Sequence, residues 1–229
     1  MESKKQNKHF PPVVTVLGHV DHGKTTLLDT IRKTSIAERE HGGITQRIGA
    51  SSVEVEHESL KRRITFIDTP GHEAFISMRS HGAKAADTAL LVVSSVDGVM
   101  PQTQESIKLL KATKTPFIVV LTKSDDPQKN PEKVKKQLSK EEVLLEGYGG
   151  DVPVIEVSAR EGKNVKELLD LILLVFDLNP PKVTEEGEFE GVVIESRLDE
   201  KAGAKATLVI KNGKLKVRDE IFADGLKAR

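Results

Sequence analysis

Short, continuous apolar runs recur along the first three quarters of the chain, separated by stretches of helical period. Val13-Val14-Thr15-Val16-Leu17, Ala89-Leu90-Leu91-Val92-Val93 and Phe117-Ile118-Val119-Val120-Leu121 have almost no polar positions, as expected of parallel strands covered on both faces. Val53-Glu54-Val55-Glu56 alternates like a half-exposed strand. Lys61-Arg62-Arg63-Ile64-Thr65-Phe66-Ile67-Asp68 turns from basic to apolar and ends on a carboxylate. Residues 152–157 read as one more strand. Helices are predicted after Gly23, over 73–81 with Phe75, Ile76 and Met78, and over 102–114 with Ile107, Leu109 and Leu110 buried. Asn130-Pro131-Glu132 is a helix start with Asn at the cap and Pro at the first helical position. Asn164-Val165-Lys166-Glu167 reads as a capping box opening a helix whose inner face carries Val165, Leu168, Leu169, Ile172, Val175 and Phe176. Strand–helix alternation of this length predicts an α/β fold, a mostly parallel central sheet flanked by helices.

The pattern changes after Asn179-Pro180-Pro181. Residues 191–196, 206–210, 215–217 and 220–223 are short strand candidates without helices between them, and Asn212-Gly213 predicts a hairpin turn. The expected organisation is a flexible tail (1–11), a nucleotide-binding domain (12–179), a linker (180–190) and the start of a β-barrel domain (191–229) that ends before a barrel closes.

Composition narrows the class. The 35 basic and 35 acidic side chains balance, so wholesale attraction to nucleic acid is not expected. With no cysteine there is neither a disulfide framework nor a thiolate metal site. No apolar run reaches the roughly 18–20 residues of a membrane span. The lysine-rich start lacks the features of a signal or import peptide, and a soluble, cytoplasmic, monomeric protein is the expectation.

Gly18-His19-Val20-Asp21-His22-Gly23-Lys24-Thr25 lies between the first strand and the first helix and fits the phosphate-loop pattern G-x-x-x-x-G-K-[ST]. Its glycines let successive amides turn toward one anion, Lys24 adds a cation, and Thr25 offers a hydroxyl to magnesium. The helix that follows, from Thr26 on, brings its positive end to the same phosphates. His19 and His22 beside this loop are poor magnesium ligands, since that ion takes oxygen donors. Asp68-Thr69-Pro70-Gly71 follows a strand end, where Asp68 can hold magnesium through water and the Gly71 amide can meet a γ-phosphate. Thr45, in the long polar segment 34–50, offers a second hydroxyl to magnesium. Thr122-Lys123-Ser124-Asp125 follows another strand at the edge where open α/β sheets bind ligands. A carboxylate at Asp125 accepts from guanine N1 and N2, a donor pair that adenine lacks, so it selects GTP over ATP. Ser158-Ala159-Arg160 can present a backbone amide to the guanine oxygen.

These motifs together resemble the translational GTPases. Gly42-Gly43-Ile44-Thr45-Gln46, Asp68 to Phe75, Asp97-Gly98-Val99-Met100-Pro101-Gln102-Thr103 and residues 191–196 resemble the bacterial-type translation initiation factor 2 family. The resemblance implies a phosphate-loop GTPase domain whose GTP hydrolysis the ribosome stimulates, with initiator tRNA recognised by C-terminal domains beyond this chain. It implies that His72 orients the attacking water, that Val20 and Ile44 form an apolar gate, and that Asp21 lies where a monovalent cation can bind. An elongation-type or selenocysteine-specific factor, or a GTP/GDP switch with negligible hydrolysis, stays open as an alternative. One departure is Thr122, where most family members carry Asn. The expected consequence is weaker nucleotide binding without loss of guanine specificity. The basic run Lys61-Arg62-Arg63 reads as a solvated hairpin end or as a contact to RNA phosphates.

Overall fold

A computed structural model of the chain describes residues 11–34, 36–37, 49–58, 60–68, 76–181, 187–199, 203–223 and 226–228. Contacts divide the chain into two compact units between Pro180 and Pro181. The first contains, in chain order, β1 (Val13–Gly18), α1 (Lys24–Thr34), β2 (Ile36–Ala37), β3 (Gly49–His57), β4 (Leu60–Asp68), α2 (Ile76–Ala85), β5 (Thr88–Ser94), α3 (Pro101–Thr113), β6 (Phe117–Thr122), α4 (Pro131–Lys140), β7 (Val154–Glu156) and α5 (Val165–Leu178).

One seven-stranded sheet has the order β2-β3-β4-β1-β5-β6-β7. β4, β1, β5, β6 and β7 run parallel, and β3 pairs antiparallel with both β4 and β2. From β1 the chain runs to the sheet edge at β2, returns inward through β3 to β4 beside β1, then crosses to β5 on the other side. The carboxyl end of β1 is therefore the switch point at which open α/β sheets leave a crevice.

The two-residue strand period sorts the core into two layers. Val14, Val16, Leu90, Val92, Ile118 and Val120 pack with Leu27, Leu28 and Ile31 of α1 and with Leu168, Leu169 and Ile172 of α5. Leu17, Leu91, Val93, Val119 and Leu121 pack with Ile107 and Leu110 of α3 and with Val134 and Leu138 of α4. Both faces of the sheet are covered, as the unbroken apolar runs require.

Two helix starts differ. At α4 the Asn130 side chain accepts from the Lys133 amide at 3.0 Å, the expected cap. At α5 the capping box does not form. Asn164 takes a left-handed conformation (φ 58°) and its side-chain amide donates to the Glu156 carbonyl at 2.8 Å, tying the helix start back to β7 instead. β7 is also shorter than the strand expected over 152–157.

Arg62 is not a free member of a basic patch. Its guanidinium makes a bidentate pair with Asp177 of α5, at 2.6 and 2.8 Å. Together with His57 Nδ1, 2.6 Å from Asp170 Oδ1, it pins the β3–β4 hairpin to α5.

The second unit holds β8 (Glu190–Asp199) paired antiparallel with β9 (Gly203–Asn212), and β10 (Ile221–Ala223) paired antiparallel with β11 (Leu226–Ala228). Residues 215–217 form no strand, and Asn212-Gly213 is no hairpin turn. Asn212 pairs back with Glu190, its side chain donates to the Glu188 carbonyl at 3.0 Å, and Gly213 leaves the strand with φ 68°. Asp219 then closes a separate turn, accepting from the Lys216 amide at 2.7 Å. Among the described residues no helix is long and apolar enough to cross a membrane.

Candidate guanine-nucleotide site

The loop after β1 is shaped by its glycines. Gly18 has φ 144°, and a Cβ there would lie 2.3 Å from the Val92 carbonyl oxygen, so the close approach of β1 to β5 admits no side chain. Gly23 has φ 83°, a conformation that favours glycine, and its carbonyl accepts the first helical hydrogen bond, from Leu27 at 2.9 Å. The first turn of α1 therefore directs backbone amides outward with no intrahelical acceptor, the arrangement that favours an anion. Lys24 is buried, and its ammonium donates to the carbonyls of Gly18 (2.9 Å) and His19 (2.5 Å), so the cation lies within the curl of the loop. Thr25 and Thr26 are exposed on the first turn. Val20 is half-buried, and Asp21 is exposed in a left-handed conformation (φ 62°).

His22 is buried beneath the loop, with its ring 5.1 Å from that of His19. Burial, followed by the neighbouring His19, pushes its pKa down to about 4. A neutral ring avoids the desolvation of a charge and the repulsion by His19 and Lys24 that a protonated ring would face.

Asp68 is buried at the end of β4, level with Val16 of β1 in the strand register. A buried carboxylate here and an exposed Thr25 hydroxyl at the helix start supply only oxygen donors, which suits magnesium. Thr45, Ile44, Gly71 and His72 lie outside the described residues.

The loops after β6 and β7 lie at the same edge of the sheet. Thr122 is buried and its hydroxyl donates to the His22 carbonyl at 2.7 Å. Lys123 (φ 56°) pairs its ammonium with Asp97 at 2.8 Å. That pairing, with help from Ser94, holds the Asp97 carboxyl below the usual carboxylate range. Asp125 is half-buried. The Ser158 hydroxyl and the Asp125 backbone, then Arg160 and Lys129, hold its carboxyl low, so it is ionised and ready to accept hydrogen bonds. Ser158 is buried, the Ala159 carbonyl accepts from Thr30 of α1 at 2.8 Å, and exposed Arg160 stands 3.8 Å from Asp125. The structure thus brings together the phosphate loop and both base-side loops.

Sequence reasoning about chemistry missed Gln102, whose side-chain oxygen accepts from the Val20 amide at 2.9 Å. It also missed Lys129, whose ammonium donates to the Ser124 carbonyl beside Asp125. Gln102 and Asp97 stood inside a recognisable motif, but nothing distinguished Lys129 from the other surface lysines.

Residues 11–177 match the family model described as the elongation factor Tu GTP binding domain. The chain belongs to this family. Among relatives of this GTP-binding family, it is 51% identical over 219 residues to a translation initiation factor IF-2 of Synechococcus sp. (strain JA-3-3Ab), covering 96% of this chain and 21% of that one. It is 52% identical to the translation initiation factor IF-2 of Alkaliphilus metalliredigens, over 100% of this chain and 32% of the relative. The chain therefore spans about a fifth to a third of the length of the curated relatives it matches. Among solved structures, the GDP-bound aIF5B of Aeropyrum pernix superposes with a TM-score of 0.73 at 34% identity, over 92% of this chain and 43% of that one.

Proposed function

We propose that this chain is the guanine-nucleotide-binding, GTP-hydrolysing portion of a bacterial-type translation initiation factor. The observation that carries this reading is the Thr122–His22 bond, which joins the base-side loop containing Asp125 to the phosphate loop. A site so joined measures the distance from guanine to β-phosphate with fixed parts at both ends. The identity to initiation factors supports the initiation role over the elongation and selenocysteine-specific alternatives.

In this reading Gly18 to Thr26 cradle the phosphates, Lys24 neutralises them, and Asp125 with the amides of 158–160 selects guanine. Thr25, Thr45 and Asp68 would hold magnesium, which would offset the negative charge of the phosphates. Asp21 would offer its carboxylate to a monovalent cation. His72, released past Val20 and Ile44, orients the attacking water, and Gly71 meets the γ-phosphate. Phosphoryl transfer needs positioning more than a strong base, which suits an imidazole. The ribosome is the partner that brings His72 into place, and initiator tRNA engages the further C-terminal domains of the longer family members. The protein works in the cytoplasm as a monomer.

The test is phosphate release from GTP with and without ribosomes. Turnover stimulated by ribosomes and abolished by His72→Ala supports the reading. Stimulated turnover that is indifferent to His72→Ala overturns the role of His72, and turnover that ribosomes never stimulate overturns the initiation-factor reading.

A further inference from the structure

The stretch from the end of β5 into the first turn of α3 touches both halves of the nucleotide site, yet it carries none of the nucleotide-binding motifs. Its shape is held locally. The Ser94 hydroxyl accepts from the amides of Val96 and Asp97, each at 3.2 Å, and the Gly98 amide donates to the Ser94 carbonyl at 2.9 Å. Gly98 has φ 82°, and a Cβ there would lie 2.3 Å from the Gln137 side-chain oxygen, which accepts instead from the Val99 amide at 3.0 Å. Met100 opens α3 with its amide donating to Thr103 Oγ1 at 3.3 Å, and the Ser106 hydroxyl bonds the Gln102 carbonyl at 2.7 Å. A segment braced at this many points is a rigid mount.

Two side chains reach out from that mount in different directions. Asp97 holds the Lys123 ammonium at 2.8 Å, on the base side. Gln102 accepts from the Val20 amide at 2.9 Å, on the phosphate side. Lys123 directly follows Thr122, and Val20 lies two positions before His22, the two residues that a hydrogen bond already joins.

The geometry points to residues 97–102 as a two-armed clamp that sets how long a guanine nucleotide stays bound. Asp97 and Gln102 are positioning residues. Asp97 fixes the loop that reads the base, and Gln102 fixes the outer turn of the loop that cradles the β-phosphate. Any partner that shifts the start of α3 would loosen both arms together and speed nucleotide release. This rests on the guanine-nucleotide reading above and adds residues to it that no nucleotide-binding motif contains.

The arms are separable because they act on different parts of the ligand. Near-isosteric changes keep the shape of the segment while removing one interaction each: Asp97→Asn removes the charge, and Gln102→Met removes the acceptor. Release of a ribose-labelled fluorescent GDP from the 229-residue chain, chased with excess GDP, should be about three- to tenfold faster in each variant, the worth of one hydrogen bond. Competition with GMP, which lacks the β-phosphate, gives the readout that general loosening does not produce. Asp97→Asn should weaken GDP and GMP alike, whereas Gln102→Met should weaken GDP and leave GMP unchanged. Wild-type release rates in both variants, or equal losses for GDP and GMP in Gln102→Met, would overturn the clamp. A wild-type chain that retains no labelled GDP would instead overturn the nucleotide reading itself.

Discussion

The Thr122 hydroxyl donates to the His22 carbonyl over 2.7 Å, inside the protein, and so ties the end of β6 to the phosphate loop. Among the described residues its other acceptor contact, to Val93, is long at 3.4 Å, so the hydroxyl proton is committed to the loop. A threonine used in this way has no hydroxyl proton left to donate to the base. Thr122→Val keeps the shape and removes the donor, leaving a buried carbonyl unsatisfied, and should weaken GDP binding about tenfold. Thr122→Asn adds a second donor on a longer side chain and should tighten it. Titration calorimetry of the two variants beside wild type checks both; an Asn variant that binds no tighter would show that the brace is all this position supplies.

Asp125 should govern the choice of base. Asp125→Asn replaces one acceptor by a donor, which suits xanthine, whose ring carries an oxygen where guanine carries an amino group. GDP binding is expected to fall about 100-fold or more, with xanthosine diphosphate gained in its place. Competition against labelled nucleotide measures both, and unchanged GDP affinity would remove Asp125 from the base site.

Stability should depend on acid through His22. Its folded pKa of about 4 lies below the ordinary 6.5, so the unfolded chain takes up a proton that the folded chain refuses. The contribution of the neutral ring is complete above pH 6.5, declines as pH falls from there, and levels off near pH 4. The loss across that window is about 2–3 kcal/mol. Urea unfolding at the two ends, with His22→Phe as the variant lacking the titration, separates this from the protonation of carboxylates.

The clasp between the β3–β4 hairpin and α5 should contribute to stability without touching the nucleotide. Arg62→Met removes a bidentate pair that is only partly shielded, for about 1 kcal/mol. A lower urea midpoint with unchanged GDP affinity is expected, and a loss of GDP binding in this variant would place the hairpin in the site.

The central strands were legible because β1, β5 and β6 are buried on both faces and need no alternation. The positions of Gly18 to Thr25 after β1 and of Asp125 after β6 were legible because each loop follows a strand marked by an unbroken apolar run. What escaped was non-local. Asn164 looked like a cap, but β7 offers its side chain a carbonyl that no local pattern reveals. Asn212-Gly213 looked like a hairpin turn, but the pairing of Asn212 with Glu190 spends it at the end of a long strand. Gln102 serves the phosphate loop from 82 positions away in sequence, and only the fold makes them neighbours.

Binding of GDP and ADP by the wild-type chain in the presence of magnesium, measured by calorimetry, tests the central claim most directly. A single site that takes GDP and gives no heat with ADP is the predicted result. Equal binding of the two, or none of GDP, would contradict it.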